Sequence, residues 1–204
     1  MIKNLIFDLG GVLLDIDFKR TYDAFRNLGV LNSYDLHDHP DLFDLFMALE
    51  KGTYTPDGFR KRFRVLTGFD GCDHDLDDAF NALLVGFRIE RVDRVRELGN
   101  KYRTYVLSNT NAIHCDHYNR ILNETLGIKD LDHLVDKTYY SHILGSRKPD
   151  REIYLSMIDD SGMKPGESLF LDDRQENIEA ARDLGFQAIL VDERHNVIEA
   201  LKGL

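Results

Sequence analysis

The residues that decide the fold are Ile2-Lys3-Asn4-Leu5-Ile6-Phe7-Asp8-Leu9-Gly10-Gly11-Val12. A short apolar run that ends in charge or in glycine is typical of a buried strand in a parallel sheet. This stretch therefore predicts a first strand that ends at Asp8. A second run of the same kind, Ser168-Leu169-Phe170-Leu171, leads directly into Asp172 and Asp173.

The carboxylates of Asp8, Asp172 and Asp173 are expected to face one crevice, because ligands of parallel sheets bind outside the carboxyl ends of the strands. Three acidic groups at one place repel each other unless a positive charge lies between them. A hard divalent cation that takes oxygen ligands fits this arrangement. The sequence therefore predicts a cation site at the ends of these two strands.

Two further segments place polar groups between these runs. Tyr105-Val106-Leu107 ends in Ser108-Asn109-Thr110-Asn111, and Gly145-Ser146-Arg147-Lys148-Pro149-Asp150 precedes a helical pattern. A hydroxyl, a side-chain amide and backbone N–H groups after a strand can converge on phosphate oxygens. The structural alternatives are an ordinary Ser-Asn turn and a solvated surface lysine.

The four segments, in this order, resemble the four motifs of the haloacid dehalogenase-like (HAD) hydrolase superfamily, and the resemblance extends to about Val191. It implies that Asp8 is a catalytic nucleophile that becomes phosphorylated. It also implies that Ser108 and Asn109 bind the phosphoryl group. Lys148 would be both catalytic and phosphate-binding, since its ammonium would offset the charge of the nucleophile and of the phosphoryl group.

The same resemblance implies a magnesium ion. Its ligands would be Asp8, the backbone carbonyl of Gly10 and the acidic pair, with Asp173 as a direct ligand. Asp172 would act through water or through a hydrogen bond to the ligand shell. Asn177, in the first turn of the next predicted helix, would either orient that shell or be an ordinary polar residue of the helix.

Gly10 departs from the family pattern. Most phosphatases of the superfamily carry a second Asp there, which serves as the general acid, so the chain keeps the carbonyl and lacks the carboxylic acid. Leaving groups that are already good anions are expected to be favoured, which predicts that a sugar 1-phosphate is a better substrate than the 6-phosphate. Asp15 and Asp17 are candidates for a substitute acid, and their alternative is a solvated or structural role.

The predicted fold class is α/β, a doubly wound parallel sheet of the Rossmann type with a small helical cap inserted after the first strand. The core comprises residues 1–17 and 89–204, and the cap comprises residues 18–88. Helical spacing of apolar residues predicts four cap helices, of which the fourth contains Phe80, Leu83, Leu84 and Phe87. No strand-like alternation is apparent in the cap, and the segment 12–17 is expected to form a hairpin-like flap.

Composition excludes several function classes. Across 204 residues, 26 Lys and Arg against 36 Asp and Glu give a net charge of −10, which argues against general affinity for nucleic acid. No run of eighteen apolar residues and no secretory signal is apparent, so a cytoplasmic protein is expected. Cys72 and Cys115 have neither metal-binding nor redox spacing and are expected to be reduced thiols.

The predicted function is that of a magnesium-dependent phosphatase acting on a small phosphorylated metabolite, as a monomer or a small homo-oligomer. The chain looks most similar to helical-cap phosphatases of the bacterial alpha-D-glucose-1-phosphate phosphatase type. The alternatives are a metal-independent 2-haloacid dehalogenase and a non-catalytic binding module. A fourth motif with two acidic residues favours magnesium and phosphate over the dehalogenase.

Two other groups have open interpretations. His114 and His117 are spaced so that they can bind zinc from one helix, but no third ligand is apparent, so a solvated or substrate-facing position is favoured. Glu50-Lys51-Gly52 either faces the active site or is a plain helix end.

Overall fold

A computed structural model describes residues 1–30, 38–192 and 197–203. In chain order its elements are β1 (Asn4–Phe7), β2 (Leu14–Ile16), α1 (Phe18–Asn27), α2 (Pro40–Glu50), α3 (Pro56–Thr67), α4 (Asp73–Asn81), β3 (Leu84–Phe87), α5 (Ile89–Leu98), β4 (Arg103–Ser108), α6 (Ala112–Leu126), β5 (Lys137–Tyr140), α7 (Ser141–Leu144), α8 (Arg151–Ser161), β6 (Ser168–Asp172), α9 (Gln175–Asp183), β7 (Gln187–Leu190) and α10 (Val197–Ala200).

The central sheet has five strands in the order β5-β4-β1-β6-β7. Every neighbouring pair in it is parallel, and β1 lies in the middle. Phe7 is opposite Val106 on one side and Leu171 on the other, so β1, β4 and β6 end at the same level. This register brings the polar residues that follow the three strands to one edge, and the predicted fold class is confirmed.

Helices cover both faces of the sheet. Successive side chains of a strand point to opposite faces, so Leu5 and Phe7 pack on one side of β1 and Ile6 packs on the other. The first side is closed by α5, α6 and α10, and the second by α8 and α9. The strands are apolar on both faces because both faces are buried, as in other parallel sheets.

The cap is a separate helical layer with an aromatic core. Its helices α1 to α4 bury five phenylalanines against each other, and the Phe59 and Phe80 ring centroids lie 5.1 Å apart. Asp17 and Thr55 cap the N-termini of α1 and α3 with their side chains, and Gly68 ends α3 in the left-handed conformation. The helical periods predicted for the first three cap helices are confirmed.

The predicted fourth cap helix is only partly correct. The helix α4 ends at Asn81, and Leu84–Phe87 forms the strand β3, which pairs antiparallel with β2. Leu84 is buried and Val85 is exposed, which is the alternation of a strand. A short apolar run at three- to four-residue spacing cannot distinguish the two states, and the pairing with β2 decides for the strand.

The flap predicted at 12–17 is therefore half of a two-stranded sheet, and the other half, β3, lies within the predicted cap, after its last helix. The division into a core of 1–17 and 89–204 and a cap of 18–88 stays a prediction. The sequence also predicts a last helix near 195–203, and residues 195 and 196 of it lie outside the described residues. Among those that are described, no helix combines the length and the apolar character that a membrane crossing requires.

Candidate active site

Three carboxylates meet at the carboxyl edge of the sheet. Carboxylate oxygens of Asp8, Asp172 and Asp173 all lie within 4.8 Å of one another. Asp8 follows β1, and the other two lie at the end of β6 and directly after it. Asp8 and Asp172 are buried, whereas Asp173 is exposed. The register of the two parallel strands thus assembles the cluster that the sequence predicts.

The ammonium of Lys148 lies inside this cluster. Its Nζ atom is 2.7 Å from Oδ1 of Asp8 and 2.6 Å from Oδ2 of Asp172, and the side chain is only 1% exposed. Burial by itself lowers the pKa of Lys148, but the two carboxylates outweigh this effect and hold the pKa above its usual value. Lys148 is therefore a buried cation shared by two acidic groups, and the alternative of a solvated lysine is wrong.

The cluster keeps an excess of negative charge. Burial raises the pKa of Asp8 to about 7; Lys148 lowers it, while Asp172 and Asp173 raise it. Burial and the charge of Asp172 likewise raise the pKa of Asp173. When all three carboxylates are ionised, the single ammonium leaves two negative charges without a partner. A divalent cation with oxygen ligands would neutralise them, so the donor set fits magnesium.

Gly11 makes room for the cluster. Its φ angle is +77°, and a Cβ atom at this position would overlap the Oδ2 atom of Asp173. Only glycine satisfies both the left-handed backbone and the close approach. The turn after β1 is thus shaped around an acidic residue that follows β6.

Asp172 is held by groups other than Lys148. Its Oδ1 atom accepts hydrogen bonds from Nδ2 of Asn177 at 2.8 Å and from the backbone N–H of Arg174 at 2.9 Å. Asn177 is itself buried, and its carbonyl accepts a hydrogen bond from the Tyr154 hydroxyl. The structure thus places Asn177 behind the acidic pair, where it orients Asp172.

Ser108 and Asn109 lie at the end of β4, and Ser108 lines the cavity above the carboxylates. The Asn109 amide bonds both backbone groups of Lys148: Oδ1 accepts from its N–H at 2.8 Å, and Nδ2 donates to its carbonyl at 2.9 Å. Asn109 therefore positions the Lys148 segment. Its contact with phosphate stays a prediction, and it would use the backbone N–H and the second proton on Nδ2.

Neither candidate for a substitute acid is available. The Asp15 carboxylate accepts hydrogen bonds from Arg88 at 2.6 Å and Arg91 at 2.9 Å. Asp17 accepts a hydrogen bond from the Lys19 backbone as the N-cap of α1. Both have structural roles, and Gly10 faces the cavity without a nearby carboxylic acid from the flap.

A cavity of about 190 Å³ lies between the cap and this edge of the sheet. Its floor includes Gly10, Ser108 and Asn109, and its walls come from the flap, from α1, α2 and α4 of the cap, and from α6 of the core. The four charged side chains do not themselves line the cavity, but Gly10 lies two residues after Asp8 and Asn109 bonds the backbone of Lys148, so the cavity lies next to the charged cluster. A ligand bound through its charged end at the carboxylates would extend into the space beneath the cap.

His114 is a wall of this cavity and not a zinc ligand. Its Nδ1 atom lies 2.8 Å from Oδ1 of Asn81, and its ring stacks on Phe80 with 4.3 Å between the centroids. Burial lowers the pKa of His114 to about 3, so the ring is neutral at physiological pH. Among the described residues, neither His114 nor His117 belongs to a group that could hold a metal.

The segment Glu50-Lys51-Gly52 contacts the core. Glu50 pairs with Arg147 at 3.0 Å, and Lys51 pairs with Asp150 at 3.2 Å. A Cβ atom on Gly52 would overlap the carbonyl of His142. The segment is thus the C-terminal end of α2, and it also contacts the core, with Glu50 lining the cavity.

Sequence reasoning missed Arg147 and Asn81. Each contacts a residue far away in the chain, with 97 positions between Arg147 and Glu50 and 33 between Asn81 and His114. The only signal for Arg147 was its position next to Lys148. No local pattern pointed to Asn81.

Known proteins resemble the chain over nearly its whole length. A family model of haloacid dehalogenase-like hydrolases matches residues 2–185. A D-ribitol-5-phosphate phosphatase of Bacteroides thetaiotaomicron is 35% identical over 187 residues, which cover 92% of this chain and 90% of that protein.

Two solved structures extend this comparison. A HAD family enzyme of Bacteroides thetaiotaomicron, in complex with magnesium and inorganic phosphate, superposes with a TM-score of 0.88 at 32% identity and covers 99% of this chain and 100% of its own. An L-2-haloacid dehalogenase of Xanthobacter autotrophicus superposes with a TM-score of 0.60 at 20% identity, covering 94% and 78%, a likeness of fold alone. The chain belongs to the haloacid dehalogenase-like hydrolase family.

Proposed function

We propose that this enzyme is a magnesium-dependent phosphatase that hydrolyses a small phosphorylated metabolite through an aspartyl-phosphate. The observation that carries the proposal is the Lys148 ammonium, placed between Asp8 and Asp172 at 2.7 and 2.6 Å beneath a cavity. This arrangement supports Asp8 as the nucleophile and Lys148 as the cation that would meet an entering phosphoryl group.

Asp8, Asp173 and the backbone carbonyl of Gly10 would hold the magnesium ion, and Asp172 would support them through its hydrogen bonds. When bound, the ion supplies charge neutralisation for the phosphoryl oxygens and for the nucleophile. The relative that was crystallised with magnesium and inorganic phosphate supports this assignment.

In the first step, the Asp8 carboxylate attacks phosphorus in line with the ester oxygen. The new bond joins the Asp8 oxygen to phosphorus, and the bond from phosphorus to the leaving oxygen breaks with its electron pair. Lys148 stabilises the negative charge, while Ser108 and the backbone after β4 donate hydrogen bonds to the phosphoryl oxygens.

The leaving oxygen takes its proton from water, because Gly10 supplies no acid and Asp15 and Asp17 have other partners. In the second step, water attacks the phosphorus of the aspartyl-phosphate. Inorganic phosphate departs, and the Asp8 carboxylate is regenerated.

The substrate class is expected to be small phosphomonoesters, with sugar phosphates among them. The preference for a sugar 1-phosphate over a 6-phosphate rests on the missing acid at Gly10. In D-ribitol 5-phosphate, which gives the relative its name, the phosphate is attached to a primary alcohol.

The test is release of inorganic phosphate from p-nitrophenyl phosphate with magnesium and with EDTA. We expect turnover only with magnesium, and we expect Asp8→Asn to abolish it while the melting temperature stays close to that of the wild type. Metal-independent release of halide from a 2-haloacid would support a dehalogenase. Binding of phosphate without any turnover would indicate a binding module. Wild-type turnover in Asp8→Asn would overturn the nucleophile.

A further inference from the structure

We propose that the cavity selects phosphomonoesters whose leaving group carries a single aromatic ring. This inference rests on the phosphatase activity proposed above and specifies its substrate class. It follows from the lining, size and hydrogen-bonding state of the cavity.

The cavity is apolar away from the carboxylates. Aromatic and aliphatic side chains form most of its wall, among them Phe18, Phe46, Met47, Phe80 and Leu84. His114 adds a ring that stacks on Phe80 and is neutral, because burial lowers its pKa to about 3. Such a wall favours the burial of a ring over the burial of hydroxyl groups.

Three of the polar side chains in the wall already have partners. The Thr21 hydroxyl donates to the carbonyl of Phe80 at 3.2 Å and accepts from the N–H of Leu83 at 2.9 Å. The Tyr118 hydroxyl shares a hydrogen bond with Cys115, and Glu50 is paired with Arg147. A polyol in this space would leave several of its hydroxyl groups without partners, which is unfavourable for a buried polar group.

The cavity volume indicates one ring. A cavity of about 150 Å³ lined by similar side chains accommodates benzene, and this one measures about 190 Å³. One ring and its linking atom therefore fit beneath the cap. The absence of an acid at Gly10 points in the same direction, because a phenolic oxygen leaves as a more stable anion than an alkoxide.

The experiment compares benzyl phosphate with D-ribitol 5-phosphate, since both have a primary alkoxide as leaving group and differ mainly in what enters the cavity. Acetyl phosphate, which has no ring, reports the phosphatase activity itself, with Asp8→Asn as the blank for spontaneous hydrolysis. We expect kcat/KM for benzyl phosphate to exceed that for D-ribitol 5-phosphate at least tenfold.

Variants connect the preference to the wall. We expect Met47→Asn and Phe18→Ser to lower the ratio of benzyl to acetyl phosphate kcat/KM at least fivefold. Phe18 is 56% exposed, so its variant should fold even if the other does not. Val65, on the outer side of α3 and 73% exposed, provides the matched control, and Val65→Asn should leave the ratio unchanged.

The two failures are distinguishable. Equal or better turnover of D-ribitol 5-phosphate, with magnesium-dependent hydrolysis of acetyl phosphate intact, would overturn the ring preference alone. An unchanged ratio in both wall variants would do the same. No phosphate release from any of the three compounds would overturn the phosphatase proposal.

Discussion

The Arg147 guanidinium bonds the Glu50 carboxylate across the boundary between core and cap, with 3.0 Å between Nε and Oε2. Arg147 directly precedes Lys148, whose ammonium lies between two carboxylates of the site. The cap is therefore attached to the very segment that carries the buried cation. Burial raises the pKa of Glu50, and the charge of Arg147 opposes this rise.

Loss of this ion pair should weaken the attachment of the cap to the core. We expect Glu50→Gln to lower kcat/KM for p-nitrophenyl phosphate about tenfold, because a partly buried pair contributes more than an exposed one. Lys51→Gln removes the neighbouring ion pair with Asp150, whose side chains are 43% and 44% exposed. It should lower kcat/KM only about twofold. Steady-state kinetics of the two variants provide the measurement. Equal effects would show that the position of Glu50 is not special.

A methyl group at Gly11 should damage the metal site. The variant Gly11→Ala combines backbone strain at φ +77° with overlap on Asp173, whereas Gly68→Ala has only the strain, at φ +72° with open space around it. We expect both to lose about 1–2 kcal/mol of stability in urea unfolding. Only Gly11→Ala should raise the magnesium concentration for half-maximal activity, at least tenfold. Similar magnesium titrations for both would remove the proposed contact.

The two acidic residues of the last motif should have different roles: Asp173 binds the metal, and Asp172 stabilises the buried Lys148 ammonium. Asp173→Ala should raise the magnesium requirement sharply, and more than Asp172→Ala does. Asp172→Ala should instead cost about 3–5 kcal/mol of stability, because it leaves the buried Lys148 ammonium without one partner. Magnesium titrations and urea unfolding measure the two effects. Small and equal changes in the magnesium requirement would contradict the metal site.

A carboxylic acid restored at Gly10 should help poor leaving groups. A Cβ atom there would lie 3.3 Å from the terminal methyl of Ile16, which can shift by a few tenths of an ångström. General acid catalysis typically contributes about 10²–10⁴ in rate. We expect kcat/KM of the wild-type enzyme to be higher for glucose 1-phosphate than for glucose 6-phosphate. In Gly10→Asp the ratio of the two kcat/KM values should be at least tenfold smaller.

The flap provides the control for this prediction. Asp15→Asn and Asp17→Asn should not cause a selective loss of 6-phosphate turnover, since both carboxylates have structural partners. A wild-type preference for glucose 6-phosphate would contradict the leaving-group argument. A selective loss in one flap variant would identify a substitute acid.

His114 should make the protein sensitive to acid. Its pKa is about 3 in the folded protein against an ordinary 6.5, so below pH 6.5 the unfolded chain binds a proton that the folded protein does not. Stability therefore falls as the pH falls from 6.5 toward 3, by up to about 2 kcal/mol at pH 5.

Urea unfolding at pH 7 and pH 5 measures this effect. Between the two pH values, His114→Phe should lose less unfolding free energy than the wild type, by about 2 kcal/mol. His74→Phe is the control, since the His74 side chain is 77% exposed, and it should keep the wild-type dependence. The same pH dependence in His114→Phe and in the wild type would show that His114 does not cause it.

The acidic cluster could be predicted from sequence because it depends on strand ends. Apolar runs identify β1 and β6, and parallel strands present their carboxyl ends at one edge. Strand ends thus bring Asp8, Asp172 and Asp173 to one edge, and the pairing of β1 with β6 makes them neighbours. The same reasoning brought Ser108 to that edge, and helical periods were sufficient for the first three cap helices.

Other features required contacts between distant parts of the chain. Leu84–Phe87 is a strand because it pairs with β2, across the whole cap. The Asn109 amide bonds the backbone of Lys148, which lies 39 residues further along the chain. The Asp15 carboxylate is paired with Arg88, which lies 73 positions away in the chain, and this pairing could not be read from the sequence.

The sequence by itself thus determined the fold and the chemical groups of the site, because periodicity and strand ends are local properties. The tertiary structure decided which of those groups have partners and what surrounds the ligand. The cavity beneath the cap exists only where two separately encoded apolar surfaces face each other, so its size and its mostly apolar wall follow from packing alone.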